Sequence, residues 1–434
     1  MNRNNTYDVV IIGAGVTGTA ILYVLSKYTT VKNIALIEKY PLPAQVNSAH
    51  WNNSQTLHFG DIETNYSYDK AASVNEAAEL VAGYVEKNRS KLFNKTHKMV
   101  LAVGDKEVKR LEERYDEIKS LYPNLKKISR SEIAKLEPKI VEERNSKESL
   151  LALYTEDGYA IDYGKLAESF VENGKGKNKE VFLDTKLRDI FKQKDSYIIQ
   201  SNMENLEAKV VVVSAGAHSL IYAQKLGYGK ELGLLPVAGS FYCSQKMLNG
   251  KVYTLQTKKL PFAAIHGDPD VANPEETRFG PIAKVLPILE KRNPKSFFQF
   301  LKLFRFRWSG IMSIINILKD PVYYRYVFWN MVYEIPWLGK YAFLREVRKI
   351  IPSIKGSELH YGWKIGGIRP QVVDTKKKKV ALGEAKLVGD NIIFNITPSP
   401  GASVCLKNAE IDTQKVVDFL GKKFDREKFL NDLK

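Results

Sequence analysis

The sequence predicts a two-domain α/β fold, with one domain built on parallel strands and a second, mixed-sheet domain capped by helices. Apolar runs at residues 7–12 and 33–37 flank a helical segment at 16–27, which is the order of a β-α-β unit. Residues 209–216 (KVVVVSAG) repeat the signal of a buried strand that ends in a glycine turn. From residue 232 to about 265, strand-like runs alternate with turn residues. At 434 residues the chain is long enough for two domains.

The chain is basic, with 66 Lys and Arg against 49 Asp and Glu and a net charge of +17. This balance favours anionic partners, which are small acids, acidic lipid surfaces or nucleic acid. We expect no nucleic-acid role, because no RNA-binding aromatic signature and no helix-turn-helix pattern is present. The two cysteines, Cys243 and Cys405, lack the spacing of a zinc site or a disulfide framework, so no metal site is predicted.

The first turn, GAGVTG, has the spacing of a dinucleotide-binding loop. Gly13 permits the tight turn, Gly15 lets the backbone approach a pyrophosphate, and Gly18 lets helix and strand pack closely. The helix N-terminus offers unpaired N–H groups to the phosphates. Glu38 ends the second strand, where a carboxylate can accept hydrogen bonds from ribose hydroxyls. We therefore interpret the segment as a Rossmann-like nucleotide site rather than a simple glycine-rich turn, with contacts from Gly13, Gly15, Val16, Thr17, Gly18, Glu38 and Lys39.

A late segment favours FAD over NAD as the nucleotide. Many flavoproteins close a late segment over the flavin ring, and residues 397–403 (TPSPGAS) form a Gly/Ser turn before a helix at about 404–420. The N-terminus of that helix would stabilise the negative charge of a reduced flavin; the alternative is an ordinary N-capped helix. Residues 211–219 (VVVSAGAHS) resemble the second glycine turn of FAD enzymes, and residues 181–190 resemble the strand beside the adenine. The predicted contacts here are Ala215, Gly216, Pro400, Gly401, Ala402 and Ser403.

The glycine turns and the PGAS turn together resemble the D-amino-acid-oxidase-like superfamily of flavoproteins. Longer motifs make the sequence similar to the malate:quinone oxidoreductase family, and to its shorter bacterial branch in particular. The likeness covers nearly the whole chain and is weakest at 76–150 and 290–345. It is carried by NSQTLHFGDIETNYS (53–67), LPVAGSFY (235–242), LPFAAIHGDPD (260–270), TRFGP (277–281), IRPQVVD (368–374) and FNITPSPGAS (394–403).

The resemblance implies oxidation of (S)-malate to oxaloacetate with FAD and transfer of the electrons to a membrane quinone, as part of the citric acid cycle. It implies a peripheral protein on the cytoplasmic face of the inner (cell) membrane. In agreement, we see no signal-peptide pattern and no apolar run near the roughly 18 residues of a membrane-spanning helix. Carried over motif by motif, the resemblance places Gln55, Thr56 and Ile368 at the flavin and Tyr242 at the substrate.

Oxidation of a 2-hydroxy acid requires cations for the carboxylates, a base for the hydroxyl proton and a flavin beside the reacting carbon. Arg369, which follows two glycines, and Arg278 are the predicted anchors for the substrate carboxylates. Arg369 is also a predicted flavin contact. The alternative for each arginine is a structural salt bridge. His266 is the preferred base, with Asp268 positioned to orient its ring. His58 is the alternative base or a flavin contact. A structural role remains the alternative for both histidines.

Residues 296–319 (SFFQFLKLFRFRWSGIMSIINILK) mix aromatic and aliphatic side chains with cations. Aromatic rings favour the membrane interface and cations favour anionic lipid, so this stretch predicts peripheral attachment to an anionic lipid surface. The alternative is a set of core-facing helices. The predicted domains are therefore a discontinuous FAD-binding domain at 1–75, 150–228 and 360–434, and a substrate-binding, membrane-facing domain at 76–149 and 229–359.

Two rival functions remain open on the sequence. The first is another FAD-dependent 2-hydroxy-acid dehydrogenase or oxidase, acting on 2-hydroxyglutarate or lactate. Lactate has a single carboxylate and does not require a second arginine. The second is a membrane-bound flavoprotein without catalytic activity, which would carry FAD but would not be reduced by any hydroxy acid.

Overall fold

A computed structural model gives the structure of the protein and describes residues 5–88, 92–256, 264–304, 319–374, 376, 379–381, 385–396 and 400–434. Parts of three predicted segments lie outside these residues: the LPFAAIHGDPD and TPSPGAS motifs and the basic aromatic stretch. The structural statements that follow concern the described residues.

The described residues form two sheets and a set of helices. The strands are β1 (Thr6–Ile12), β2 (Ile34–Ile37), β3 (Phe93–Val103), β4 (Lys126–Ser129), β5 (Leu150–Ile161), β6 (Lys179–Phe182), β7 (Leu187–Gln193), β8 (Ser196–Ser201), β9 (Asn205–Val213), β10 (Leu232–Gln245), β11 (Lys251–Thr254), β12 (His266–Pro269), β13 (Glu276–Val285), β14 (His360–Tyr361), β15 (Ile368–Asp374), β16 (Lys379–Ala381), β17 (Ala385–Gly389) and β18 (Ile392–Ile396).

The helices are α1 (Val16–Tyr28), α2 (Tyr68–Asn88), α3 (Asp105–Ile118), α4 (Arg130–Leu136), α5 (Pro138–Val141), α6 (Tyr163–Gly174), α7 (Ser219–Lys225), α8 (Ser296–Phe304), α9 (Pro321–Val332), α10 (Leu338–Arg348), α11 (Cys405–Leu420) and α12 (Arg426–Leu433). Two short 3-10 helices lie at His50–Asn52 and Gly216–His218. Across this part of the chain, the helices are all too short or too polar to cross a bilayer.

The first sheet is Rossmann-like, as the sequence predicts. Its strand order is β17-β18-β9-β1-β2-β6, and β1 pairs in parallel with both β2 and β9. The central strands are Val- and Ile-rich because both of their faces are buried: β1, β2 and β9 bury nearly all their apolar side chains. Helix α1 packs between α6 and α11 on one face of this sheet. The carboxyl ends of β1, β2 and β9 therefore open at one edge.

The second sheet is mixed, which confirms the predicted fold class. Its order is β16-β15-β10-β13-β12-β11-β3-β5-β4; β11 pairs in parallel with β3, and the other pairs are antiparallel. Four of its strands, β5, β14, β15 and β16, come from stretches that the predicted division gives to the FAD-binding domain. Strands join a sheet by pairing with residues that are distant in the sequence. The local composition from which the domain boundaries are drawn carries no information about that pairing. The domain boundaries stay a prediction.

The charged composition of residues 76–150 predicts helices, but this stretch contains strand β3. Its first half is charged and polar (FNKTHK), which hides the strand from a search for apolar runs. Its second half, from Met99 to Ala102, is fully buried between β5 and β11. The pairing with neighbouring strands, rather than local propensity, decides this segment.

Residues 53–63 are tied to the second sheet on one side and to helix α6 on the other. On the side of the second sheet, Arg278 donates to the carbonyl of Asn53, and the hydroxyls of Tyr253 and Thr56 lie 2.6 Å apart. On the other side, the Tyr163 hydroxyl at the start of α6 donates to the Thr56 carbonyl over 2.9 Å. This segment therefore has a fixed path along the sheet edge where the site lies.

Candidate active site

A cavity of about 1690 Å³, counted with the solvent at its mouth, lies at the carboxyl ends of β1, β2 and β9. It runs from the GAGVTG turn past residues 52–58 to residues 367–370 of β15 and 400–403 before α11. Among the predicted cofactor contacts, Gly18 and Gln55 do not line it. Those that do are Gly13, Gly15, Val16, Thr17, Glu38, Lys39, Thr56, Ala215, Gly216, Ile368, Arg369, Pro400, Gly401, Ala402 and Ser403.

The three glycines of the first turn have different surroundings. Gly13 has a φ of +102°, and a Cβ there would lie 2.6 Å from the Ser214 carbonyl oxygen. A Cβ on Gly18 would lie 2.0 Å from the Gly13 carbonyl oxygen, so strand and helix touch at this point. A Cβ on Gly15 would meet only the Ser48 hydroxyl, at 3.4 Å, and would point into the space of the cavity. Gly13 and Gly18 therefore shape the turn, whereas Gly15 leaves room for a ligand.

Glu38 lies at the end of β2, on the cavity wall. Its Oε2 accepts a hydrogen bond from the Ala14 backbone N–H over 2.7 Å, and Oε1 accepts one from the Tyr40 N–H over 3.1 Å. Burial raises the pKa of this carboxyl above its usual value, against the opposing effect of these hydrogen bonds. Lys39 forms an ion pair with Glu290. The Glu38 carboxylate thus stands where the ribose of a dinucleotide is expected.

At the far end of the cavity, three chain segments meet. The Ser403 hydroxyl accepts a hydrogen bond from the His58 backbone N–H over 3.0 Å and lies 3.3 Å from the Tyr163 hydroxyl. The Asn47 side chain donates to the Ile368 carbonyl over 2.8 Å and accepts from the Ile368 N–H over 3.1 Å. The turn before α11, the 53–63 segment and β15 are therefore held together around one space.

The residues present fit an FAD. The N-terminus of α1 presents backbone N–H groups where diphosphate binds in such turns, and Gly15 leaves the approach open. Glu38 is available to the ribose, and the cavity continues to the turn before α11, whose N-terminal dipole favours negative charge. The arrangement can therefore hold the nucleotide at one end and the flavin beside His58 and Arg369 at the other.

Arg369 offers a cation to the cavity. No described residue accepts a hydrogen bond or forms an ion pair with its guanidinium, although burial lowers the pKa of that group below its usual value. Its electrostatic neighbours are the hydroxyls of Tyr326, Tyr253 and Tyr66. Gly366, with a φ of +104°, lies against the Gly239 backbone, where a Cβ would be 1.9 Å from the carbonyl oxygen. That close approach fixes the strand that carries Arg369.

Arg278 has a different environment. Its Nη1 lies 2.8 Å from Asp270 Oδ2, its Nη2 donates to the Asn53 carbonyl over 2.7 Å, and its Cζ lies 4.6 Å from the centre of the Phe241 ring. The side chain is buried and does not line the cavity. These contacts are those of the structural salt bridge that the sequence leaves as an alternative.

The two candidate histidines also lie in different parts of the structure. His58 lines the cavity, and its Nδ1 makes a short hydrogen bond with the buried carboxylate of Glu63. His266 is buried in the second sheet, outside the cavity lining, with its ring stacked 4.4 Å from that of Tyr253. Its Nε2 lies 3.0 Å from Asp268 Oδ2. The structure therefore places His58 at the candidate site and His266 behind it.

Asp268 belongs to a buried charge network rather than to the cavity wall. Burial alone would raise the pKa of its carboxyl, but His266 and Lys251 lower it to about 2. The distance from Lys251 Nζ to Asp268 Oδ1 is 3.4 Å. The orienting contact predicted between Asp268 and His266 is present, but it acts on a ring that does not face the cavity.

Tyr242 and Gln55 also have structural partners. Tyr242 is buried, donates to the Tyr333 carbonyl over 2.9 Å and stacks on Phe343 at 5.0 Å. Gln55 accepts from the Val271 N–H over 2.8 Å and donates to Asp270 over 3.2 Å. Both side chains lie next to cavity residues without lining the cavity themselves.

Several cavity residues were not identified from the sequence. The Ser48 hydroxyl accepts from the Val16 N–H over 3.0 Å at the start of α1, and Tyr163, Lys186, His218 and Glu290 also line the cavity. His218 is five residues past the end of β9, in the glycine turn, and its position there is a signal that the sequence offers. Ser48 and Glu290 carry no local signal, because each reaches the cavity through a loop whose path depends on distant contacts.

A group of possible metal ligands lies away from the cavity. Cys243, Glu276 and His360 each place one ligand atom within 4.8 Å of the others, on strands of the second sheet. The sequence predicts no metal site, and none of these three residues lines the cavity. Burial raises the pKa of the Cys243 thiol well above its usual value, with Glu276 adding to the effect.

The fold of this protein is similar to those of solved FAD-dependent enzymes. Solved structures of similar shape include an L-α-glycerophosphate oxidase from Mycoplasma pneumoniae with FAD bound, with a TM-score of 0.66 and 17% identity over 96% of both chains. They also include a glycine oxidase from Geobacillus kaustophilus, with a TM-score of 0.64 and 15% identity over 95% of both chains. At these identities the likeness establishes the fold, and it confirms the predicted fold class.

Sequence relatives are more specific. A probable malate:quinone oxidoreductase of Campylobacter jejuni is 43% identical over 98% of this chain and 99% of its own length. A malate:quinone oxidoreductase of Helicobacter pylori is 41% identical over 98% of both. The family model for malate:quinone oxidoreductase matches residues 5–416. The protein with the cavity described above therefore belongs to the malate:quinone oxidoreductase family.

Proposed function

We propose that this FAD-dependent malate:quinone oxidoreductase binds a carboxylate of (S)-malate at Arg369 and transfers the malate hydroxyl proton to His58. The observation that carries the proposal is a guanidinium without an ion pair among the described residues, together with an imidazole on the wall of the same cavity, next to the turn expected to hold the flavin. Oxaloacetate is the product, and a membrane quinone receives the electrons.

The chain's residues supply binding and proton transfer. FAD would be held by the GAGVTG turn, Glu38 and the residues before α11, and when bound it accepts the two electrons and the carbon-bound hydrogen of the alcohol. Arg369 grips a carboxylate through two parallel N–H groups, which fixes the orientation of the hydroxyl-bearing carbon. His58 accepts the hydroxyl proton as that carbon becomes a ketone. Tyr66, Tyr253 and Tyr326 are the electrostatic neighbours of the Arg369 guanidinium.

We favour His58 over His266 as the base because a base must reach the substrate hydroxyl. His266 is buried behind Tyr253, and its Nδ1 lies 3.0 Å from the Ala264 carbonyl. Single replacements separate the two roles. We expect His58→Asn to abolish rapid flavin reduction at saturating malate, and His266→Asn to alter stability more than the rate of reduction. A slow His266→Asn variant beside an unaffected His58→Asn variant would reverse the assignment.

The central test is anaerobic reduction of the bound flavin, followed by absorbance at about 450 nm, where oxidised flavins absorb. (S)-Malate, lactate, 2-hydroxyglutarate and NADH are mixed separately with the purified holoenzyme. We expect rapid bleaching by malate alone, reversed by a soluble quinone. Bleaching by lactate or 2-hydroxyglutarate in its place would retain the site and change the substrate. A yellow protein that no hydroxy acid reduces would match the non-catalytic flavoprotein.

We also propose that the protein docks peripherally on anionic lipid at the cytoplasmic face of the cell membrane, where its quinone resides. Most of the predicted stretch lies outside the described residues, but α8, α9 and α10 carry large exposed apolar side chains beside it. Trp337 is 89% exposed and Phe298 67%. Exposed arginines, among them Arg325 and Arg345, lie on the same helices. Aromatic side chains with interspersed cations are the pattern that suits an anionic membrane interface.

A further inference from the structure

Glu63 is a buried carboxylate whose visible partner is the ring of His58. Its side chain is 5% exposed, and its Oε1 makes a short hydrogen bond with His58 Nδ1. The His58 ring, in contrast, lies on the cavity wall. A buried carboxylate that contacts a single nitrogen of a cavity-lining imidazole has the geometry by which proteins select a histidine tautomer.

The turn between the two residues fixes their contact. Gly60 has a φ of +91°, and a Cβ there would lie 2.9 Å from both the Ala71 backbone and the Tyr122 hydroxyl. That hydroxyl donates to the Phe59 carbonyl over 2.9 Å, and the His58 N–H donates to Ser403 over 3.0 Å. The residues on both sides of the turn are thus held by other elements, so the pairing does not depend on the two side chains alone.

Several charges act on the pair. Burial alone would raise the pKa of Glu63, but His58 and Lys98 together lower it below its usual value. Lys98 is fully buried on β3, and its Nζ lies 2.8 Å from Asp61 Oδ2. The charge of Glu63 also acts on Lys70 of α2, where it opposes the lowering of the Lys70 pKa by burial. Tyr66 couples electrostatically to Glu63 and to Arg369. Glu63 is therefore an ionised carboxylate at neutral pH, next to the candidate base.

Resting on the proposed function, we propose that Glu63 is a positioning residue that keeps the His58 proton on Nδ1 and leaves Nε2 to accept the substrate hydroxyl proton. Nδ1–H donates to the carboxylate throughout. During oxidation the hydroxyl proton moves to Nε2, the O–H bond breaks and the N–H bond forms. Glu63 stabilises the resulting imidazolium and takes up no proton itself.

The first test replaces the carboxylate with an amide of the same shape. Glu63→Gln should lower the rate of malate-driven flavin reduction roughly 10- to 100-fold, the usual range for loss of a residue that orients a histidine. The half-saturating malate concentration should stay unchanged, because Glu63 does not touch substrate carboxylates. Glu76→Gln, which removes a surface carboxylate paired with Lys407, is the matched control. Malate should reduce the flavin of this variant at the wild-type rate.

A second variant distinguishes loss of the charge from loss of the geometry. Glu63→Asp retains the carboxylate on a side chain one methylene shorter, so its rate of flavin reduction should lie between those of Glu63→Gln and the wild type. A wild-type rate in Glu63→Gln, or a wild-type rate in Glu63→Asp should Glu63→Gln fail to fold, would overturn the proposal.

Two further readouts complete the design. In the His58→Asn background, Glu63→Gln should cause no additional loss, whereas independent additive losses would contradict positioning through His58. Two-bond ¹H–¹⁵N spectra of histidine-labelled holoenzyme report the tautomer without turnover, and six histidines keep them sparse. The signal lost in His58→Asn should have its proton on Nδ1. A proton on Nε2 would refute the inference, and an unaffected His58→Asn variant would refute the proposed function instead.

Discussion

Arg369 and Arg278 differ in what the fold gives each guanidinium. Arg278 is buried with Asp270 and the Asn53 carbonyl as partners, so its charge is already compensated. Arg369 reaches the cavity with no ion pair among the described residues. A charge without a partner in a partly desolvated site binds an anion strongly, because it has already lost much of its hydration. The same residue type is therefore compensated within the fold at one position, and at the other it is available for the carboxylate recognition that we propose.

Replacing the two arginines separately should give two different phenotypes. Arg369→Gln should raise the half-saturating malate concentration about 10- to 100-fold, the equivalent of losing one charged hydrogen-bonding pair, while the thermal midpoint stays close to that of the wild type. Arg278→Gln leaves Asp270 buried without its cation and should lower the free energy of unfolding by roughly 3–5 kcal/mol. Malate titrations and thermal unfolding of both variants make the comparison. A malate-binding defect confined to Arg278→Gln would contradict the assignment.

The β1–α1 unit is the element on which we expect FAD binding to depend. The parallel strand ends at Ile12, the backbone turns at Gly13 and α1 begins at Val16, so the free N–H groups of the helix face the cavity. The helix has no side-chain cap of its own at Gly15; the Ser48 hydroxyl accepts from the Val16 N–H instead. The unit therefore combines close packing on one side with an open anion site on the other.

Alanine at two of the glycines should separate these two properties. Gly18→Ala introduces a Cβ 2.0 Å from the Gly13 carbonyl oxygen, so we expect a lower free energy of unfolding together with loss of FAD. Gly15→Ala meets only the Ser48 hydroxyl at 3.4 Å and should fold normally in the apoprotein while retaining less FAD. Flavin content after dialysis and apoprotein unfolding are the measurements. An FAD-replete Gly15→Ala variant would show that the backbone there does not approach the cofactor.

At the scale of the whole molecule, α9 connects the cavity with the protein surface. Its inner face packs on the second sheet, where the Asn330 side chain accepts from the Ala283 N–H over 2.6 Å and Tyr326 lies near Arg369. Its outer side chains, including Tyr324 and Phe328, are exposed. The whole chain carries a net charge of +17. A basic and aromatic surface at α9 would lie a short distance from the site of oxidation, which suits an electron acceptor that is dissolved in lipid.

Vesicle binding should test the docking proposal. The protein should sediment with vesicles that contain phosphatidylglycerol, less with phosphatidylcholine alone, and less at high ionic strength. Trp337 has a φ of +70° and a ψ of −56°, a backbone conformation that glycine adopts most readily, so Trp337→Gly should keep the turn and weaken binding about 10-fold. Met203→Ser, at an exposed site on the first sheet's β8–β9 turn, is the control. Equal losses in both variants, or no preference for anionic lipid, would count against this surface.

Features that depend on a few consecutive residues, such as the first glycine turn and the buried parallel strands, can be predicted from the sequence alone. The GAGVTG turn needs its glycines within six positions, and the Val- and Ile-rich runs of β1, β2 and β9 mark strands buried on both faces. The fold class, the FAD and the family all follow from such local patterns. The polar first half of β3 carries no such pattern, and that strand was not predicted.

The tertiary structure alone decided which of the equivalent candidates reaches the cavity. From sequence, His58 and His266 both lie beside glycines, and Arg278 and Arg369 both lie in family motifs. Arg278 meets Asn53 across 225 positions of the chain, and Ser403 reaches His58 across 345. Burial and charge compensation depend on contacts of this length, which residue type and spacing do not encode. The sequence therefore determined the chemistry available to this protein, and long-range packing decided which side chains can perform it.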